Sequence, residues 1–366
     1  MMKQESNLFK HKISFCTVCM NRLEPLRKTL PKNIKDNLSY GNLEFVVLNY
    51  NSKDDLDNWI EKEMSDYLTS GVLKYIKTSS PKYFLRSHSK NVVSKEATGE
   101  IICNVDADNY IGKGFAQYVN NCFLKRKNIF LATDRASVRK DCLGRICLKK
   151  KDFETITGYD ESMENYGFED LDLKNRLILL GRQVINISDG KFLNAISHSD
   201  DTRLQNEPNA HLIKDIYIKY INHYSTELLY LLTNRMYYTG IVVIHRLSQS
   251  NDTRAIFKEF EDDNLHDLNN PIWNLEKLEW KIGNWQKSGC GLILTNSLGV
   301  KRIGKIGTPS LNKIVKDEYY KCQDEQSFQK LIMFFSQINN CIKMYENQKN
   351  KIIVVNKTFG ETELDW

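Results

Sequence analysis

The stretch EIICNVDADNYIGKGF, residues 100–115, decides how the chain is read. Its opening is a short apolar run with the pattern of a buried strand, and the run stops at Asp106-Ala107-Asp108. Two carboxylates at i and i+2 of an extended chain point to the same side, so Asp106 and Asp108 suit one hard divalent cation. By itself the pair is equally well a polar turn, because aspartates after strands commonly form turns and caps.

Upstream, ISFCTV (13–18), LEFVVL (43–48) and VLKYIK (72–77) have strand character. Between them lie helical spacings: Leu23, Leu26, Leu30 and Ile34, which Pro31 should kink or end, and then Leu56, Trp59 and Ile60. A further helix through Asn91 to Ala97 is expected to end at Gly99 as a left-handed cap. The alternation is that of βαβ units, so the fold class is α/β, a mostly parallel sheet with flanking helices. The aspartate pair then sits at the carboxyl end of a strand, where open α/β sheets bind ligands.

Beyond residue 210 the rhythm is lost and Trp273, Trp280 and Trp285 cluster. The expected division is residues 1–215 as one domain and 216–366 as an α-rich or mixed appendage for acceptor, membrane or subunit contact. Within it, ELLYLLTNRMYYTGIVVIHRL (227–247) has the look of a buried helix followed by a strand, broken by Asn234 and Arg235, and SFQKLIMFFSQINNCIKMYENQ (327–348) that of an amphipathic helix.

The 366 residues are 41% hydrophobic and 27% charged, values of an ordinary folded chain. The net charge of +6 is mild, and the basic residues are dispersed apart from short patches such as LKKK at 148–151, so nucleic acid is not expected as a partner. No run of about 18 apolar residues and no leader-like start is present, which predicts a cytoplasmic protein with at most peripheral contact with the inner membrane. A homo-oligomer stays open. Nine cysteines without close secreted-type spacing suit a reducing compartment. Cys16 and Cys19 form a CxxC, but on a strand they face opposite sides, which fits core packing and not a zinc site.

A second element is GYDESMENYGFEDLDLKNRLILLGR, residues 158–182. Leu173, Leu177 and Leu180 predict a helix from about Phe168 to Leu180 that stops at Gly181. Glu169 and Asp170 fall in its first turn, where the helix dipole favours negative charge. Asp170 precedes Leu173 by three and should face inward, as a general base would, with Glu169 on the side of Asp172 and Arg176. Acidic residues at that position also serve simply to stabilise helices. A third element, AISHSDDTRLQNEPNAH (195–211), offers His198, an imidazole that would complete an oxygen-rich site for a borderline metal such as manganese.

In this order, over roughly residues 12 to 211, these elements resemble the GT-A glycosyltransferases, in particular the metal-dependent inverting β-1,4-galactosyltransferase group and its bacterial family 2 relatives. The resemblance implies a GT-A sheet of Rossmann-like, nucleotide-sugar-binding type. It makes Asn21 and Arg22 donor contacts after strand one, places Asn49 near the base, and likens Phe84, Arg86 and Asn91 to the segment that binds the donor diphosphate and supports the site. It makes Asp108 and His198 metal ligands, with Asp106 nearer the ribose and sugar. Asp170 becomes the base and Glu169 an acceptor contact. Ala195 stands where animal members carry a methionine ligand, Tyr166-Gly167-Phe168 replaces their Trp-Gly-Gly, and Asn49, Tyr50 and Asn51 replace the acidic residues common after strand two.

The implied reaction is transfer of a hexose or N-acetylhexosamine from a UDP-sugar to a hydroxyl of a saccharide or glycolipid acceptor, with Mn2+ or Mg2+ as cofactor, in the setting of bacterial surface polysaccharide or glycoconjugate synthesis. Two alternatives stay open at this stage: a retaining transferase on the same fold, and a non-catalytic module that binds nucleotide-sugar or carbohydrate. No GxxxxGK[ST] or GxGxxG string is present, which speaks against a P-loop kinase or a standard dinucleotide enzyme.

Overall fold

The computed structural model describes residues 10–133, 141–197, 204–222, 225–243, 279–307 and 318–365. The chain divides into two compact units: Met1–Ser199 together with Asn339–Trp366, and Asp200–Ile338. This differs from a single cut at 215/216, because the end of the chain returns to the first unit. The return is held by Ile353, Phe359 and Leu364, which pack against the core of the first unit, and by side-chain hydrogen bonds such as that from Asn347 to Asp172.

The first unit is built on a seven-stranded sheet. Its strands are β1 (Ile13–Cys19), β2 (Leu43–Tyr50), β3 (Leu73–Thr78), β4 (Ile101–Asn104), β6 (Ile129–Ala132), β7 (Ile146–Lys149) and β8 (Gln183–Asn186), while β5 (Asn109–Tyr110) and β9 (Asn194–Ala195) form a separate ribbon. The order is β3-β2-β1-β4-β7-β6-β8. Strands β3, β2, β1 and β4 run parallel, β7 runs antiparallel between β4 and β6, and β8 is parallel to β6. The helices are α1 (Leu23–Asn37), α2 (Leu56–Glu63), α3 (Ser65–Thr69), α4 (Arg86–Glu96), α5 (Phe115–Lys125), α6 (Lys150–Thr155) and α7 (Glu169–Leu179). The α/β class with flanking helices is thus as expected.

Strands β1, β2, β4 and β6 are buried on both faces, which is why they are largely apolar runs, whereas β8 at the sheet edge is mostly exposed. Ile13, Phe15 and Cys19 of β1 join Val47, Trp59 and Phe115 in one core, whereas Cys16 joins Val46, Val92 and Phe130 in the other. The two cysteines of the CxxC therefore do face opposite sides, and both are buried free thiols. Burial pushes the Cys19 thiol up to about 12.

Two local expectations are corrected. Pro31 lies inside α1 and neither ends nor breaks it, since the helix runs to Asn37. Gly99 is absent from the left-handed residues; a Cβ there would stand 2.5 Å from Ser14 Oγ and 2.7 Å from Ser14 N, so close approach of β1 is what requires glycine.

The second unit is an eight-stranded sheet with α8 (Pro208–Leu212) and most of α9 (Glu325–Lys349), the residues of α9 from 339 onward belonging to the first unit. Its strands are β10 (Ile213–Asn222), β11 (Ser225–Leu232), β12 (Met236–Val243), β13 (Lys281–Ser288), β14 (Gly291–Asn296), β15 (Gly299–Ile303), β16 (Ile306–Gly307) and β17 (Tyr319–Lys321), in the order β15-β14-β13-β12-β11-β10-β17-β16. The unit is mixed and not α-rich. The segment ELLYLL is strand β11, not a helix: it pairs antiparallel with β12, Tyr230 opposite Tyr238, around a turn where Arg235 has φ 70°. Leu229 and Leu231 pack with Trp285 on one side and Tyr230 packs with Phe335 on the other, so a strand buried on both faces imitated a buried helix. Among the described residues no helix is long and apolar enough to cross a membrane.

Candidate active site

Strand β4 delivers its chain to the carboxyl edge of the sheet, where the amide of Asn109 donates to the Asp106 carbonyl at 2.9 Å and closes a turn. The Asp-Ala-Asp stretch is therefore a turn, and its two carboxylates sit differently: Asp106 is half-buried and Asp108 is buried. Arg22, the residue just before α1, reaches Asp108 Oδ2 with Nη2 at 3.2 Å. Asn109 Nδ2 donates to Asp108 Oδ1 at 2.7 Å, and Asn109 Oδ1 accepts from the fully buried Arg145 at 2.9 Å. Arg145 thus fixes Asn109, and Asn109 fixes Asp108.

Helix α7 begins at Glu169 and ends before Gly181, whose φ of 82° makes it the left-handed stop that was expected. Leu173 and Leu177 are fully buried. The inward assignment within its first turn is partly reversed: the Glu169 side chain is 6% exposed and that of Asp170 is 21%. Asp172 and Arg176, on the Glu169 side, are buried as well and bond each other at 2.6 Å. Burial on that side was hidden in the sequence because charged residues occupy it.

The acidic pair is held by Lys90 on α4, whose Nζ lies 3.0 Å from Glu169 Oε1 and 2.8 Å from Asp170 Oδ1. Burial disfavours the Lys90 ammonium, but Asp170 and Glu169 outweigh it and hold the group charged well above the usual lysine range. The other oxygen of Asp170 faces Asp106 across Gly144: a Cβ at Gly144 would stand 2.9 Å from Asp106 Oδ2 and 3.1 Å from Asp170 Oδ2. Burial pushes the Asp106 carboxyl up to about 7, with Lys90 opposing and Asp108, Asp170 and Asp141 adding to the rise. Residues from β4, α4, the loop before β7 and the start of α7 therefore converge on one spot.

The remaining expected residues fall into two groups. Arg86 opens α4 and lies over the rings of Phe84 and Tyr166, with its guanidinium carbon 5.2 and 4.4 Å from their centroids. Asn21, with φ 55°, accepts from the Lys53 amide at 2.7 Å while its own amide donates to Ser52 Oγ at 2.6 Å. Asn49 is buried, donating to Asp57 at 2.8 Å and accepting from the Ser52 amide at 2.8 Å. Asn91 is fully buried; it donates to the Tyr159 carbonyl at 2.9 Å and to Glu161 at 2.8 Å, and accepts from the Tyr159 amide at 2.7 Å. Here Asn49 and Asn91 brace loops through these hydrogen bonds. His198 lies outside the described residues. Lys90, Gly144, Arg145 and Asn109 were not singled out in the sequence; a lysine before Asn91 and a glycine between strands carry no signal of their own.

Among the described residues no three His, Cys, Asp or Glu side chains are grouped as a metal cluster. The donor chemistry is nonetheless that of a hard cation: carboxylate oxygens at Asp106 and Asp108, with glycine kept where a side chain would crowd Asp106.

Residues 14–133 match the family model for glycosyl transferase family 2, and residues 137–199 match the model for the N-terminal domain of galactosyltransferase. A search of curated proteins finds no match. Among solved structures, similarity extends to the mannosyltransferase PcManGT from Pyrobaculum calidifontis in complex with GDP-Man and Mn2+, at 16% identity over 54% of this chain and 62% of that one, TM-score 0.44. It extends to S. aureus TarS 1-349 in complex with UDP, at 16% identity over 52% and 62%, TM-score 0.42, and to GalNAc-T7 with UDP, GalNAc and Mn2+, at 11% identity over 49% and 42%, TM-score 0.41. In each case this chain spans less than two thirds of the matched chain. The two family matches both lie within the first unit, one taking in the sheet edge with its aspartates and the other the segment that brings the acidic pair to it: over residues 14–133 this chain is similar to glycosyl transferase family 2, and over 137–199 to the N-terminal domain of galactosyltransferase.

Proposed function

We propose that the chain transfers a hexose or N-acetylhexosamine from a UDP-sugar to a saccharide or glycolipid hydroxyl, with inversion and with a divalent ion bound. The observation that carries this reading is the meeting of Asp106 and Asp170 across Gly144 at the carboxyl edge of β4. One carboxylate belongs to the turn suited to a cation and diphosphate, the other to the helix start suited to a base.

Asp108 and Asp106, together with His198, would hold Mn2+ or Mg2+. Such an ion supplies neutralisation of the charge that gathers on the leaving diphosphate. Arg22 and Arg86 add fixed positive charge on the donor side. Asp170 takes the proton of the acceptor hydroxyl as that oxygen attacks the anomeric carbon from the face opposite UDP; the bond from the carbon to the UDP oxygen breaks, and the configuration inverts. Glu169 contacts the acceptor, and Lys90 supplies the positive charge that lets two acids stand side by side in a buried site. The setting proposed is bacterial surface polysaccharide or glycoconjugate synthesis.

The test is a calorimetric titration of UDP into the protein with and without Mn2+, repeated with Asp108→Asn, followed by UDP release from a panel of UDP-sugars with Asp170→Asn. Binding that needs Mn2+ and is lost in Asp108→Asn, with release reduced about 10²–10⁴-fold in Asp170→Asn, is expected. No UDP binding by either protein sinks the UDP-sugar reading. Tight UDP binding with no release from any UDP-sugar leaves a binding module, and release indifferent to Asp170 removes that residue as the base.

A further inference from the structure

The base proposed above stands at the start of α7, and the backbone that leads to it is unusual. Gly167 has φ 96° and Phe168, which is not glycine, has φ 68°. Two successive left-handed residues before a helix are a strained entry that persists only when surrounding groups hold it. The groups that hold it come from far along the chain. Asn340 Nδ2 donates to the carbonyls of Asn165 at 3.0 Å and Gly167 at 2.8 Å. Two turns on, Asn347 Nδ2 donates to Asp160 at 2.8 Å and to Asp172 of α7 at 3.0 Å. Both asparagines are buried, and a spacing of seven sets them on one face of α9.

The segment after α9 continues the same task. Asn356 Nδ2 donates to the carbonyls of Thr157 and Tyr159, each at 2.7 Å, and the Gly360 amide donates to Glu161 at 2.7 Å, the carboxylate that also takes Asn91. All of these residues belong to the first unit.

We infer that Asn340, seconded by Asn347, is a positioning residue for the reaction: it fixes the Asn165–Phe168 turn and so sets where Asp170 stands relative to the Asp106 edge. The inference rests on the reading of Asp170 as the base. Asn340 touches no reacting atom in this scheme; it acts through two backbone carbonyls. Its amide is the only part used, so Asn340→Asp keeps the shape, removes both donated hydrogens and sets an acceptor against two carbonyls.

The experiment uses the full chain, well below its unfolding midpoint, with Asn340→Asp and Asp170→Asn side by side. UDP affinity in Mn2+, the donor KM and kcat for UDP release, and hydrogen exchange of the 165–170 amides are measured. Asn340→Asp is expected to lower kcat about 10–100-fold, the scale of an ångström-sized misplacement, while UDP affinity and donor KM hold and the 165–170 amides exchange faster. A kcat within about twofold of the parent, with Asp170→Asn inactive, overturns the inference and leaves the base reading standing. If Asp170→Asn is as active as the parent, the base reading itself falls and the inference falls with it. Where Asn340→Asp does not fold, Asn340→Ser, which keeps one shorter donor, is judged by the same split between kcat and KM.

Discussion

Lys90 Nζ lies 2.8 Å from Asp170 Oδ1 and 3.0 Å from Glu169 Oε1, a single buried cation shared by two adjacent acids. Removing it leaves two carboxylates in a buried site with no counter-charge. Lys90→Met is expected to destabilise the fold by about 3–5 kcal/mol, the usual cost of breaking a buried pair from one side, and to abolish UDP release. Urea unfolding of the single variant, and of Lys90→Met with Glu169→Gln, checks this: the second change should restore part of the lost stability.

Gly144 has no left-handed backbone to protect, so alanine there is a test of space alone. Its methyl would press on Asp106 Oδ2 and Asp170 Oδ2 together. Gly144→Ala is expected to cut UDP release by about 10²-fold through displacement of these two carboxylates. Differential scanning calorimetry should show a midpoint close to that of the parent, which separates this effect from loss of the fold.

Arg176 and Asp172 form a fully buried pair at 2.6 Å, and Arg176 Nη1 also donates to the Ile156 carbonyl at 3.0 Å. Burial raises the Asp172 carboxyl above its ordinary value, with Arg176 and Asn347 opposing the rise. Arg176→Met should cost about 3–5 kcal/mol because it strands that carboxylate, and Asp172→Asn added to it should recover part of the loss. A double-mutant cycle by denaturant unfolding measures the coupling.

Glu44 joins β2 to β1 and to the Thr98 turn. Ser14 Oγ donates to it at 2.5 Å, and the Thr98 amide and hydroxyl donate at 2.6 and 2.7 Å. Burial would raise its carboxyl, but these hydrogen bonds and Lys12 outweigh burial and hold it below the ordinary value of 4.5. A depressed acid contributes stability that is fully present above its unfolded value and is lost as pH falls through the folded one. Glu44→Gln should therefore lower stability at neutral pH by about 1–3 kcal/mol and flatten the decline seen below the ordinary glutamate range. Thermal midpoints across an acid series for both proteins give the comparison.

Much of the first unit was legible because strands and helices advertise themselves by period. The run before Asp106, the Leu173 and Leu177 stripe and Gly181 each did so, and the GT-A resemblance rested on the order of such elements. What stayed hidden was of two kinds. The strand at Leu228–Leu232 is buried on both faces, so it carried no alternation and looked helical. The residues that finish the site, Lys90, Gly144, Asn340 and Asn347, act by one or two hydrogen bonds or by having no side chain at all, and neither property leaves a repeating mark. Glu169 is the instructive case: a helical wheel assigns sides by hydrophobicity, whereas a buried lysine lets an acid occupy an interior side.

The return of Asn339–Trp366 to the first unit means that this unit is discontinuous, its early and late parts separated by all of Asp200–Ile338. During synthesis the sheet, both aspartates and the acidic helix are made long before the asparagines that hold the turn at Gly167. Contacts of such wide separation form late, because loop closure must be paid for first. The nascent chain should thus pass through a state in which the sheet is folded and the turn at Gly167 is not, and a chain cut short within Asp200–Ile338 would keep the sheet and lack the asparagines that hold that turn.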